Sequence, residues 1–408
     1  MVHVVVVSVD ESPSARQALD FCLTHVMPRH PTSAQLHILT VLPPIHAVVP
    51  VGPAPFASAA AMSTTRHQWD AEYEANQQRA HELLRKLGDI AVAEFHIPAD
   101  AVHMHVVPAI GGASGLGESL VEASKKLKAD LLVLGTRGMG AMKSSLMSFV
   151  GCGSVSDYCI HQAKCPVLVV HPAKDIVEGS EASPLGTTPS QKKVLVCTDD
   201  SPSSKRAMQW YLDRLVMPSD HVHLVSVALI PMPTVLLDEP SVVAMEKRMN
   251  DEEGHAIEVE TAAMVERAVE KAQAHGVLRS HLTSAVLQPK PGAVSDVGVA
   301  LCSYARDKDI DIMVVGSRGL GAWQRSLMGA LGLGSVSDYL AHHLQRALLV
   351  VRDGPQSAES SHEDTGMLLP RVEEAAAEDE GVGAGEGGKA GEPEGGEGGA
   401  EKEKDKAE

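Results

Sequence analysis

Two pairs of short segments in this 408-residue chain place chemically capable residues at matching intervals. Asp10, Glu11 and Ser12 follow a run of valines, and Asp199, Asp200 and Ser201 follow KVLVCT. Farther on come GTRGMGAMKSSLMSFVGCGSVSDY (135–158) and GSRGLGAWQRSLMGALGLGSVSDY (316–339). Glycines recur at matching positions, Gly135, Gly138, Gly140 and Gly153, and again Gly316, Gly319, Gly321 and Gly334. A carboxylate accepts hydrogen bonds from sugar hydroxyls, and glycines let backbone N–H groups come close to phosphate. A helix opening at Ser154, or at Ser335, adds unsatisfied donors and the positive end of its dipole. Ser156 and Ser337 supply hydroxyls, and Arg137 and Arg318 a cation. Capture of a nucleotide is the chemistry that this set suits. Any single member also has a plainer reading: a glycine after a strand makes a tight turn, and an aspartate before a helix caps it. Recurrence of the whole set favours the ligand, although shared ancestry would preserve it too.

The elements that must hold these residues recur as well. VHVVVVSVDESPSARQAL answers KKVLVCTDDSPSSKRAM, QLHILTVLPP answers HVHLVSVALIP, ADLLVLGTRGMG answers IDIMVVGSRGLG, and CPVLVVHP answers RALLVVRD. The order of matches is the same, so the chain holds a duplicated domain. The copies cover 1–172 and 192–353, with a Gly/Ser/Thr/Pro linker at 173–191. From about Gly354 the composition changes, and residues 373–408 are almost wholly Gly, Ala, Glu and Lys, a composition that buries too little apolar surface to order itself. Within the first copy, strands are expected at Val2–Val9, Leu36–Val41, Val102–Val107, Leu131–Leu134 and Val167–Val170. Helices are expected from Ser12-Pro13 to about Met27, over Thr64–Phe95, over Leu116–Leu127 and from Ser154. Such alternation implies an α/β fold with parallel sheets covered on both faces. Ligands then sit beyond the carboxyl ends of the strands where strand order reverses, here between the first and fourth strands.

Composition narrows the function. A net charge of −18 argues against nucleic acid as partner, since phosphate backbones need clustered Lys and Arg. Apolar residues make up 44 % but aromatics only 3 %, so aliphatic side chains must fill the cores. The six cysteines form no C-x-x-C pair, which suits reduced thiols in the cytoplasm. No apolar run approaches membrane length, so no membrane role is expected. The 20 histidines are scattered: His342-His343 and His103/His105 lack a third ligand, and no metal site is assigned. Tyr158 and Tyr339 read as packing residues, and Cys159 and Cys165 as buried thiols.

V-D-x-S after the first strand, V-x-G-[ST]-R-G-x-G, then G-S-V-S-D-Y and a V-L-V-V strand together resemble the universal stress protein family. Both copies match along nearly their whole length. The resemblance implies two doubly wound five-stranded parallel sheets of strand order 3-2-1-4-5, a Rossmann-like fold akin to the adenine nucleotide alpha hydrolases. It implies ATP as ligand, with Mg²⁺ on the phosphates if turnover occurs. Asp10 and Asp199 would meet the ribose, and the backbones of Val41 and Val227 the adenine. Gly135, Arg137, Gly138, Gly140, Gly153, Ser154, Val155 and Ser156 would wrap the phosphates in one copy. Gly316, Arg318, Gly319, Gly321, Gly334, Ser335, Val336 and Ser337 would do so in the other. The spacing departs from the family's G-x-x-G-x(9)-G-[ST], because fourteen residues separate Gly138 from Gly153 and Gly319 from Gly334. The resemblance also implies pairing through the last strand, so the copies would form an intramolecular pseudo-dimer able to self-associate. A nucleotide-binding stress-response regulator with an unidentified protein partner is the reading favoured, against a scaffold that has lost the nucleotide. No nucleophile–base pair, G-x-x-x-x-G-K-[ST] loop or S-G-G-x-D-S loop points to an enzyme, which leaves at most slow ATP hydrolysis.

Overall fold

The opening valines form β1 (His3–Ser8), and Ser12 then caps α1 (Pro13–His25) with Pro13 in its first turn. The computed structural model describes residues 3–27, 34–42, 59–110, 115–136, 155–171, 191–229, 240–288, 295–317 and 336–352. The first copy continues through β2 (Ala34–Leu42), α2 (Ala59–Ala93), β3 (Val102–Pro108), α3 (Gly115–Lys126), β4 (Leu131–Gly135), α4 (Val155–Gln162) and β5 (Val167–Val170). The second repeats the order: β6 (Lys193–Cys197), α5 (Pro202–Arg214), β7 (His221–Val227), α6 (Pro240–Ala274), β8 (Leu282–Leu287), α7 (Ser295–Asp307), β9 (Ile312–Gly316), α8 (Val336–His343) and β10 (Ala347–Val351). Most of the expected linker and all of the expected tail lie outside the described residues.

The strands run in the order β3-β2-β1-β4-β5-β10-β9-β6-β7-β8, and neighbours within each copy are parallel. Where the sequence implied two sheets, hydrogen bonding joins them into one of ten strands. The join is antiparallel, with Val167 opposite Val350, Leu168 opposite Leu349 and Val169 opposite Leu348. Both joining strands are buried along their length, so each closes an apolar edge that the other copy would otherwise leave open.

Alternation along each strand divides the apolar side chains between two layers. Val5, Val7 and Val9 face α1 and α2, whereas Val6 faces α3 and α4; Leu349 and Leu348 divide the same way at the far side of the seam. The polar α2 meets its sheet through Ala80, Leu84, Leu87 and Ala91, a stripe at three- and four-residue spacing. Thr261, Val265, Ala268, Val269 and Ala272 do the same on α6. Each fully buried valine or leucine contributes about 1.5–3 kcal/mol, so aliphatic layers suffice in a chain with few aromatics. Reciprocal bonds close the amino ends of the central strands. Asp130 accepts from Val4 N–H at 2.9 Å while its own N–H donates to Val4, and Asp311 repeats this with Lys193 at 2.8 Å.

Candidate functional site

At the carboxyl end of β1 the chain turns through Asp10. Its Oδ1 accepts from Ser12 N–H at 2.9 Å and from the Ser12 hydroxyl, and Ser12 Oγ in turn accepts from Ala15 N–H at 3.2 Å. Asp199 is built alike: its Oδ1 accepts from Ser201 N–H at 3.1 Å, and Ser201 Oγ accepts from Ser204 N–H at 3.1 Å. In both copies the serine is therefore the helix cap and the aspartate orients that serine. The plainer reading, in which these aspartates cap the helices themselves, does not hold: the caps are Ser12 and Ser201. A carboxylate has two oxygens and about four acceptor positions. Beside Asp199, Asp200 adopts a left-handed backbone (φ 59°) and pairs with Lys205 at 2.8 Å.

The adjacent strand ends at Gly135. A Cβ there would lie 2.4 Å from the Ser14 carbonyl oxygen and 2.9 Å from Ala15 N, both backbone atoms that cannot move aside. At Gly316 it would lie 2.6 Å from Ser203 Oγ and 2.7 Å from Ser203 C. These two glycines are accordingly required by the close approach of α1 and α5. That approach sets the end of β4 against the first turn of α1, and with it Gly135 next to the Asp10 turn. One residue on, Thr136 N–H donates to Val170 at 3.0 Å and Ser317 N–H to Val351 at 2.9 Å, so each chain stays in the sheet before it enters the glycine segment.

Val41 and Val227 lie at the ends of β2 and β7. Leu39 accepts from Val9 N–H at 2.8 Å, and Val225 from Thr198 N–H at 2.9 Å. Backbone groups two residues apart on a strand point to the same neighbour. Those of Val41 and Val227 therefore point across the gap where β1 and β6 have ended. The bonds of the next residues agree, since Ala109 N–H donates to Leu42 and Ala228 N–H to Leu287, both on the opposite side. Backbone from the second strand, the aspartate turn from the first and the glycine end of the fourth thus surround one place in each copy.

The helices α4 and α8 begin at Val155 and Val336. Val155 is 36 % exposed there, whereas Ser156 and Ser337 are buried in the first turn. Tyr158 lies against α3, where a Cβ on Gly117 would come within 2.7 Å of its ring, and Tyr339 crowds Gly298 in the same way. The packing role expected of both tyrosines accounts for these contacts. Arg137, Gly138, Gly140, Gly153 and Ser154, with Arg318, Gly319, Gly321, Gly334 and Ser335, lie outside the described residues. So do the extra residues of the glycine loop.

No reactive thiol borders the site among the described residues. Burial holds Cys197 far above the usual thiol range, with the Asp199 charge adding to it. Burial also raises Cys159 to about 12 and Cys165 and Cys302 to about 11, which leaves them protonated at neutral pH. A cavity of about 300 Å³ lined by Lys125, Lys128, Lys164 and Trp210 lies at the amino end of β4, the wrong end of the strands for a switch-point ligand. No described helix is long and apolar enough to cross a membrane.

The model of the universal stress protein family matches the chain twice, over residues 1–171 and 191–352. The chain is similar to a curated protein, universal stress protein PHOS34 of Arabidopsis thaliana, at 26 % identity over 197 residues, covering 43 % of this chain and 69 % of that one. Among solved structures it is similar to a universal stress protein from Archaeoglobus fulgidus (15 % identity, TM-score 0.45, 86 % of this chain and 97 % of that one). It is also similar to a universal stress protein family protein from Arabidopsis thaliana with AMP bound (19 % identity, TM-score 0.28, 42 % of this chain and 94 % of that one).

Proposed function

Because the chain belongs to the universal stress protein family, we propose that it binds an adenine nucleotide, ATP, in each of its two copies. The observation that carries the reading is the repeated convergence at the ends of β1, β2 and β4, and of β6, β7 and β9. A serine-capped helix start held by an aspartate, a strand-end backbone directed into the gap and a glycine exit meet there twice. It falls where strand order reverses, since β1 lies between β2 and β4.

In this reading Asp10 and Asp199 accept from the ribose hydroxyls while still holding their serines. Val41 and Val227 offer backbone N–H and C=O to the adenine edge. Phosphates lie over the glycine segments against the starts of α4 and α8, where Ser154, Ser156, Ser335 and Ser337 donate hydroxyls and Arg137 and Arg318 supply charge. Mg²⁺ neutralises phosphate charge and takes its ligands mainly from phosphate oxygens and water. The antiparallel seam between β5 and β10 makes the copies an intramolecular pair, which we read as the protein's own form of the family's dimer. Occupancy of the two sites alters the surface offered to a protein partner. The role is that of a regulator in a stress response, with ATP hydrolysis slow at most.

Calorimetry on the intact chain with ATP and Mg²⁺, and with AMP, tests this. Asp10→Asn and Asp199→Asn keep the oxygen that holds each serine but remove the charge, whereas Gly138→Val and Gly319→Val block the glycine segments. Binding to intact protein that falls with each pair of changes is expected, with circular dichroism unchanged. No heat from the intact chain would favour the scaffold reading. Binding that survives all four changes would place the nucleotide elsewhere.

A further inference from the structure

The helices α4 and α8 each carry aspartate and histidine one turn apart, in Asp157-Tyr-Cys-Ile-His161 and Asp338-Tyr-Leu-Ala-His342. At four-residue spacing both side chains of a pair occupy one helix face. The two faces meet where the copies join. His161 Nε2 lies 3.0 Å from Asp338 Oδ1 across the seam, and ligand atoms of Asp157, His161 and Asp338 all fall within 4.8 Å of one another.

The hydrogen bond on the far side of the imidazole gives this cluster its meaning. His161 Nδ1 lies 2.8 Å from the carbonyl oxygen of Asp157, an atom that only accepts, so Nδ1 carries a proton. In neutral imidazole the other nitrogen, Nε2, then presents a lone pair. That lone pair faces a carboxylate oxygen, which presents another. Two electron-pair donors at 3.0 Å repel unless a cation lies between them, either a proton on Nε2 or a metal ion. A histidine whose second nitrogen donates to a backbone carbonyl is the usual arrangement of a metal ligand, since that bond fixes tautomer and ring plane. Tetrahedral bonds of about 2.0–2.2 Å place neighbouring ligand atoms about 3.3–3.6 Å apart, against 3.0 Å between His161 Nε2 and Asp338 Oδ1 and at most 4.8 Å across the set.

From this geometry we propose that Asp157, His161 and Asp338 form a binding site for a divalent first-row transition ion of the Zn²⁺ type, bridging the two copies. One imidazole with two carboxylates suits such an ion, whereas Mg²⁺ and Ca²⁺ favour oxygen ligands alone. The side chains are partly open to solvent, 47 % for His161 and 30 % for Asp338, so an ion can enter and water can complete its coordination. His342 repeats the internal bond of His161, with Nδ1 2.8 Å from the Asp338 carbonyl oxygen. His161 was not among the histidines paired in the sequence, because its partner Asp338 comes from the other copy. The proposal is independent of the nucleotide reading. Its consequence is a staple between the helices that follow the two glycine segments.

The test uses the full chain freed of metal by chelation, then titrated with Zn²⁺ alone and, separately, Co²⁺ alone. One site per chain is expected, with the intense visible absorption of tetrahedral Co²⁺. His161→Gln and Asp338→Asn should each weaken Zn²⁺ binding by at least about 10-fold and abolish the Co²⁺ band. His343→Gln, an exposed histidine stacked on Tyr339, should change affinity less than 2-fold by the same measure. The side-chain resonances of His161 should shift on Zn²⁺ addition in the wild type. Absence of such shifts would leave a plain ion pair between His161 and Asp338 and overturn the proposal. Zn²⁺ binding of equal strength in His161→Gln and Asp338→Asn would overturn it equally, by placing the ion on other histidines or on the acidic tail.

Discussion

Lys192 is the sharpest test of how the two copies are held together. Its ammonium is 2 % exposed and lies 3.2 Å from Asp220 Oδ2, while it donates to the carbonyls of Leu215 at 3.1 Å and of His25, in the other copy, at 3.3 Å. Asp220 is 1 % exposed, and the same oxygen accepts from Tyr211 OH at 3.1 Å and Met217 N–H at 2.8 Å. Burial raises the Asp220 carboxyl above its ordinary value, and Lys192 is the main force opposing that rise. Lys192→Met therefore strands a buried carboxylate on two neutral donors, at a cost of about 3–4 kcal/mol near pH 7. Asp220→Asn leaves the ammonium on its two carbonyls and costs about 2–3 kcal/mol. The double replacement buries no charge and should cost less than the sum by about 2–3 kcal/mol.

The pH dependence has a definite sign. A carboxyl whose folded value is raised is destabilising above that value and neutral in effect below its unfolded value, near 3.9. The Lys192→Met penalty should accordingly shrink as the pH is lowered from 7 toward 4. Urea unfolding followed by far-ultraviolet circular dichroism measures each step as a change in midpoint at constant slope. Strictly additive costs, or a Lys192→Met penalty under about 1 kcal/mol, would refute the reasoning.

Three other outcomes follow from the same structure. Gly135→Ala and Gly316→Ala should each destabilise by at least about 2 kcal/mol, because the new methyl meets backbone of α1 or side chain and backbone of α5. Gly88→Ala should instead stabilise by up to about 1 kcal/mol, since it lies inside α2 and meets the flexible Met104 side chain at 3.2 Å and Val102 Cγ1 at an ordinary 3.8 Å. Urea midpoints decide both. His223 is 6 % exposed, and burial, aided by His221, lowers it to about 4. A lowered histidine stabilises the folded state above its unfolded value near 6.5 and loses that contribution as the pH falls toward 4. Between pH 7 and 5 the loss is roughly 2 kcal/mol, and His223→Asn should flatten the stability curve by that amount.

Much of this fold was legible from local pattern. The strand expected at Val167–Val170 is β5 itself, and the others agree to within one or two residues at each end. Short β-branched runs and a Ser-Pro-Ser start carry their own information, because strand and cap formation depend on neighbours along the chain. The site was legible only in part. Asp10 and Gly135 could be named from spacing, but spacing could not say that Asp10 holds Ser12 or that α1 leaves no room for a side chain at Gly135. The first is a matter of how one turn folds locally, and the second of where α1 lies relative to a strand about 120 residues away in the chain. The Asp157–His161–Asp338 cluster was illegible for the same reason. Its sequence signal was the repeated Asp-x-x-x-His, and four-residue spacing within one helix says nothing about what faces it.

By itself, the sequence determined the duplication, the alternation of strands and helices and the two sets of chemically capable residues, since each is written in local residue type and period. Only the tertiary structure decided that β5 and β10 pair, making one sheet of ten strands. The physical reason is that an apolar edge strand demands a partner without specifying which, and the choice is made by the packing of whole layers. The same choice set Lys192 against the end of α1 and His161 against Asp338.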